Sequence, residues 1–147
     1  MENGDNRNLR IFALAVAIAA LLCMACSSPA SPDGEVTLVV GYEDFRRGPN
    51  YAGTIDLLAG GVLTVKLFSN TASTGAAWTN PAQLSEPGVL EQISHSYVPL
   101  SDNPGGGGQD VWAFHSISKG TCRVYMEYKR AFDTVPSWTF ALTVTVR

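Results

Sequence analysis

Gly75, the run Gly105-Gly106-Gly107-Gly108 and the pair Arg130 and Phe132 are the residues best suited to meet another molecule. A glycine reaches positive φ without penalty and lets a backbone approach a partner with no side chain between them. Gly75 offers this in the segment Asn70-Thr71-Ala72-Ser73-Thr74-Gly75-Ala76-Ala77-Trp78, which also reads as an ordinary polar hairpin turn. The four-glycine run after Pro104 loses much conformational freedom on ordering, so it is a poor choice for a plain strand connection. It suits a loop laid against another surface, or one left mobile. In Tyr128-Lys129-Arg130-Ala131-Phe132, an arginine stands beside an aromatic at the end of an alternating run. Exposed at a loop tip, that pair is an interface anchor; with Phe132 tucked into the fold, it is merely a closed end. The chemistry on offer is contact rather than turnover.

Catalytic groups are scarce. Cys122, His95 and His115 are the only candidates for a cysteine-hydrolase site, and Glu43, Asp44 and Asp102 are loop acids without a recognisable partner. Cys122 lies on the inward phase of an alternating run beside Val124 and reads as a packing residue. The histidines lack metal-ligand spacing with it. Nothing assembles a nucleophile, a base and an oxyanion donor, so no enzyme, no cofactor and no metal are expected. The glycine run is no phosphate loop, because neither Lys-Ser/Thr nor a helix start follows it. Ten Lys and Arg against thirteen Asp and Glu give a net charge of −3, without the basic footprint of a nucleic-acid binder.

The elements that must position these residues are strands. Val36, Leu38 and Val40 alternate, as do Leu63, Val65 and Leu67. Cys122, Val124, Met126 and Tyr128 share one face against Arg123, Glu127 and Lys129. Trp138, Phe140, Leu142, Val144 and Val146 do so against Thr139, Thr143 and Thr145. Side chains on a strand alternate between its faces, so each pattern sets one face on a core. Trp112 and Phe114, two apart, belong to such a face. No stretch beyond residue 34 carries a sustained helical period with caps. Gly, Pro, Asn and Asp punctuate the runs, and about seven antiparallel strands point to an all-β immunoglobulin-like sandwich without a disulfide. Between Pro81 and Ser101 two short strands are expected, around Leu90–Ile93 and Ser96–Leu100.

The first residues are of another kind. Arg7 and Arg10 precede an apolar run, Ile11 to Met24, that ends at Ala25-Cys26. A basic end, a short apolar core and a small residue make a secretory signal, and the run is shorter than the ~20 residues of a membrane-spanning helix. Leu22-Cys23-Met24-Ala25-Cys26 resembles a bacterial lipoprotein signal, although Glu2 and Asp5 offset the arginines and Cys23 stands where leucine is usual. That resemblance implies cleavage of residues 1–25, lipid on Cys26, a flexible tether over 26–34 and a folded domain over 35–147. It places the protein in the cell envelope, lipid-anchored to a membrane or secreted. With Cys26 lipidated, Cys122 is the sole thiol left, so the domain must rest on its core.

In order and spacing, the three loop segments resemble the chagasin-like family of cysteine-peptidase inhibitors, whose signatures read N-P-[ST]-T-G-[YF]-x-W, G-x-G-G and R-P-[WF]. Thr74-Gly75 and Trp78 match the first; the glycine run, with one extra residue, matches the second; Arg130 and Phe132 match the third. The resemblance implies a small β-sandwich that blocks a papain-like cysteine peptidase reversibly. Contacts would come from Ser73, Thr74, Gly75, Ala76, Gly105, Gly106, Gly107, Gly108, Arg130 and Phe132, with Trp78 packed beneath the first loop. It implies a monomer whose partners are the peptidase and, through its lipid, a membrane, with no nucleic acid. Thr71-Ala72-Ser73 replaces Pro-[ST], Ala76 replaces the aromatic and Ala131 the proline. These changes also fit an envelope lipoprotein that keeps the sandwich for adhesion or assembly, its inhibition lost.

Overall fold

A computed structural model describes residues 34–103 and 105–147. The leader 1–25, Cys26 and all but the last residue of the tether therefore lie outside the described residues. Nine strands run in chain order: β1 (Glu35–Val40), β2 (Asn50–Leu57), β3 (Val62–Ser69), β4 (Ala77–Trp78), β5 (Gln83–Leu84), β6 (Leu90–Pro99), β7 (Gly108–Ser116), β8 (Gly120–Lys129) and β9 (Trp138–Val146). They form two sheets, one in the order β1-β3-β7-β6 and one in the order β2-β9-β8-β4, with β5 also on β8. Two short helices, α1 (Tyr42–Arg47) and α2 (Thr71–Thr74), complete the described elements.

The core lies between the inward faces that the alternation marked out. Leu63, Val65 and Leu67 of β3, Trp112 and Phe114 of β7, Cys122, Val124, Met126 and Tyr128 of β8, and Phe140, Leu142, Val144 and Val146 of β9 are all buried. Each such side chain removed from water contributes roughly 1.5–3 kcal/mol. Thr139, Thr143 and Thr145 stay half-buried on the outer face, in phase with their pattern. The sandwich is all-β as expected, and the described cysteine, Cys122, is free.

Three details differ from the sequence expectation. The strands number nine rather than about seven, because β4 and β5 are two-residue pairings on β8. Both sheets are mixed: β1 pairs parallel with β3, and β2 parallel with β9. The chain between Leu90 and Pro99 is one strand, not two, with a register shift between Gln92 and Ser94. A bulge of this kind swaps the faces of the residues beyond it.

The parallel pairs require a crossover from β1 in one sheet to β2 in the other, and α1 makes it. The Asp44 carboxylate accepts the Gly41 N–H at 2.9 Å and fixes the start of α1. Glu43 and Asp44 lie in the first turn and Arg46 and Arg47 in the last, in accord with the helix dipole. Phe45 is its one buried residue, with ring centroids 5.3 Å from Trp78 and 5.0 Å from Trp138.

Candidate functional site

The direction of the strands gathers four connections at one end of the sandwich. Val40 at the end of β1 pairs with Leu67 near the end of β3, so α1 and the first loop (residues 70–76) leave side by side. Gly108, at the start of β7, pairs with Ser69, which brings in the second loop (residues 100–107). Tyr128 pairs with Trp138, and Asn50 at the start of β2 pairs with Thr139. The third loop (residues 130–137) and the exit from α1 are thereby set at the same end.

An aromatic floor supports them. Tyr128 stacks on Trp138 with centroids 4.8 Å apart and tilts against Trp78 at 5.2 Å. The Trp78 indole N–H donates to the Phe68 carbonyl at 2.9 Å. Trp78 is thus core beneath the first loop, as expected.

The first loop is seated on one hydroxyl. Tyr128 is 2% exposed, and its phenol oxygen accepts the Asn70 N–H at 3.0 Å. Thr74 donates its hydroxyl to the Asn70 carbonyl at 2.8 Å and lies 3.1 Å from the Tyr128 hydroxyl. With its own proton committed, Thr74 Oγ1 accepts the Tyr128 proton and also the Ala76 N–H at 3.1 Å. α2 ends at Gly75, which has φ 68° and ψ 4° and whose N–H donates to the Thr71 carbonyl at 2.8 Å. The space where a Cβ would stand on Gly75 is open to 4 Å. At Gly75 the loop therefore presents bare backbone.

Hydrogen bonds tie the loops to one another. Ser73 Oγ donates to the Gly105 carbonyl at 3.3 Å, joining the first loop to the second. Arg130 Nε donates to the Thr74 carbonyl at 3.0 Å, joining the first to the third. Asp133 closes the third loop on itself, its carboxylate accepting the Arg130 N–H at 3.3 Å and its N–H donating to the Arg130 carbonyl at 3.2 Å. Phe132 is 97% exposed at the tip, which excludes its being tucked into the sandwich end.

Seven of the ten sequence-predicted contact residues, Ser73, Thr74, Gly75, Gly105, Gly106, Arg130 and Phe132, stand exposed at this end. Ala76, Gly107 and Gly108 are buried instead. Ala76 is 3% exposed, its methyl among the core residues. A Cβ on Gly107 would touch the Phe68 ring at 3.0 Å, and one on Gly108 would overlap the Tyr97 ring and the Val98 carbonyl. These three hold the loops from below.

Of the residues set aside as catalytic candidates, Cys122 and His95 are taken up by the scaffold. Cys122 is fully buried. His95 Nε2 lies 2.8 Å from Asp110 Oδ1 and its ring stacks on Trp112 at 4.8 Å. Among the described residues no group of three His, Cys, Asp or Glu could hold a metal ion. On the outer face of β8, leading into the third loop, Lys129 Nζ meets Glu127 at 2.7 Å and the Tyr125 hydroxyl donates to Glu127 at 3.2 Å. The Lys129 hydrogen bond holds the Glu127 carboxyl below the ordinary carboxylate value, and Glu127 in turn raises Lys129. Desolvation, then the Glu127 bond, raises Tyr125.

Sequence reasoning took Tyr128 as scaffold and missed its hydroxyl as the seat of the first loop. The signal was the period-two run ending at Tyr128, the only inward position of β8 with a polar tip able to reach a loop. It missed α1 altogether.

The family model for chagasin family peptidase inhibitors (inhibitor family I42) matches residues 56–144. No curated protein sequence matches the chain significantly. Among solved structures, the crystal structure of the cysteine protease inhibitor EhICP2 from Entamoeba histolytica is similar with a TM-score of 0.59 and 15% identity, over 77% of this chain and 97% of that one. The solution structure of Amebosin is similar with a TM-score of 0.53 and 20% identity, over 80% and 100% of the two chains. PbICP-C, solved in complex with falcipain-2, is similar with a TM-score of 0.51 and 20% identity, over 77% and 98%. At these identities the likeness is one of fold.

Proposed function

The chain belongs to the chagasin family of peptidase inhibitors, and on that premise we propose that it is a reversible inhibitor of papain-like cysteine peptidases. The three loops fill the active-site cleft. The Thr74-Gly75 turn enters nearest the catalytic cysteine, the Gly105–Gly106 stretch lies along one wall, and Arg130 with Phe132 grips the other.

The observation that carries this reading is the bonding between loops: Ser73 to Gly105, and Arg130 to Thr74. Three loops from three strand junctions are held as one edge before any partner arrives. Binding then spends less free energy on ordering. Gly75 in the left-handed region turns the chain sharply, so the loop offers no extended peptide in register for cleavage and blocks without being a substrate. Phe132, fully out in water, gains most from a pocket. Burying such a ring is worth roughly 1.5–3 kcal/mol, about ten- to a hundred-fold in affinity.

The setting is part of the proposal. Lipid on Cys26 anchors residues 35–147, as a monomer, to an envelope membrane through the tether. Incorporation of labelled fatty acid that disappears in Cys26→Ala supports this; labelling that persists in the variant contradicts it. Inhibition itself is tested by titrating papain with the purified chain. Competitive inhibition that reverses on dilution is expected. Absence of inhibition at high micromolar chain across several papain-like peptidases overturns the reading in favour of an adhesion or assembly role.

A further inference from the structure

We propose that α1 is a fourth contact element, with Tyr42 set to meet the rim of the same peptidase cleft that the three loops fill. The inference rests on the inhibitor reading and adds a part that the loops do not contain. α1 lies outside the family match, which begins at residue 56. The crossover from β1 to β2 places it at the loop end, because β1 leaves beside β3 and β2 enters beside β9.

Tyr42 is 49% exposed, yet its ring is held. Its centroid lies 5.2 Å from that of Phe68 and 6.3 Å from that of Trp138, edge-on to the latter. Phe68 immediately precedes the first loop's root at Ser69 and Asn70 and lies against Gly107 of the second. Trp138 opens β9 directly after the third loop. Tyr42 thus shares its two supports with all three loops, and its surface continues theirs.

An aromatic side chain that is ordered in the free protein but half in water gives area at little entropic cost, which is the character of an interface anchor. Around it Glu43 and Arg46, and Asp44 and Arg47, pair within the helix at 2.8 and 4.0 Å. They form a polar rim of balanced charge that repels neither sign of partner. The complementary surface is an apolar patch of peptidase beside the cleft, with an acceptor or donor in reach of the phenol hydroxyl.

The test has two parts. In the first, the chain carries p-benzoylphenylalanine in place of Tyr42, is equilibrated with papain and irradiated. A covalent adduct is expected from position 42 and none from position 117, an exposed site on the β7–β8 turn at the other end. In the second, Tyr42→Ala is expected to raise the inhibition constant about ten-fold, with Tyr42→Phe within about three-fold of the parent. An unaltered chain that inhibits papain, joined to no adduct at 42 and a Tyr42→Ala constant within two-fold, overturns this inference and leaves the inhibitor reading standing. An unaltered chain that fails to inhibit overturns both.

Discussion

Replacing Tyr128 with Phe removes one oxygen and leaves the stacking on Trp138 and Trp78 in place. Two bonds go with it: the Asn70 N–H loses its acceptor and Thr74 Oγ1 loses a donor. A part-buried N–H left without a partner costs about 1–3 kcal/mol. Thr74 keeps the Asn70 carbonyl and the Ala76 N–H, so its loss is the smaller one. Together these predict a stability loss of about 2 kcal/mol. For a domain of this size the melting temperature should fall by about 8 °C. Urea unfolding should show a lower midpoint with an unchanged slope, because the core surface is the same. The first loop, unseated at its root, should then bind less well, and the papain inhibition constant should rise about ten-fold. Tyr125→Phe is the control, since that hydroxyl bonds to Glu127 on the outer face; it should stay within about 0.5 kcal/mol. A Tyr128→Phe variant as stable as the parent within about 0.5 kcal/mol would refute the seating argument.

Other changes separate contact from scaffold. Asn tolerates the left-handed region that Gly75 occupies, so Gly75→Asn should fold with a melting temperature close to the parent's while its side chain obstructs the turn and weakens inhibition at least ten-fold; equal inhibition contradicts a bare-backbone contact. Phe132→Ala should leave stability within about 0.5 kcal/mol, because the ring is in water, and weaken inhibition about ten- to a hundred-fold; an unchanged constant removes Phe132 from the site. Glu127, lowered chiefly by its bond to Lys129, contributes stability that is present above the ordinary value of 4.5 and is lost as pH falls through its own lower value. Glu127→Gln should therefore melt slightly below the parent at neutral pH and converge with it in acid; a gap that persists once carboxylates are protonated contradicts the assignment.

The alternating runs made most of the sandwich legible. Leu63 to Leu67, Cys122 to Tyr128 and Trp138 to Val146 name inward residues without knowledge of their neighbours, since the pleat alone decides them. Pairing is different. Nothing in Glu35–Val40 or Asn50–Leu57 says that each lies parallel to a later strand, because that depends on the crossover between them. α1 escaped because one cap, one charge pattern and one buried Phe45 hold six residues, too few for a helical period. The bulge at Gln92/Ser94 interrupted alternation and made one strand look like two. At the site, residue type identified the loops, but burial sorted them. Ala76, Gly107 and Gly108 sit in the same motifs as Gly75, Gly105 and Gly106, yet Ala76 turns its methyl into the core and the return of the second loop against Phe68 and Tyr97 turns Gly107 and Gly108 inward.

The central claim is that one end of the sandwich, and no other surface, meets the peptidase. Amide hydrogen exchange on the chain, free and saturated with papain, measures this directly. Slowed exchange is predicted at residues 70–77, 101–107 and 130–137, with none at the β2–β3 and β7–β8 turns of the opposite end. Protection confined to that opposite end or to the free edge of β6, with the three loops exchanging as in the free chain, would contradict it.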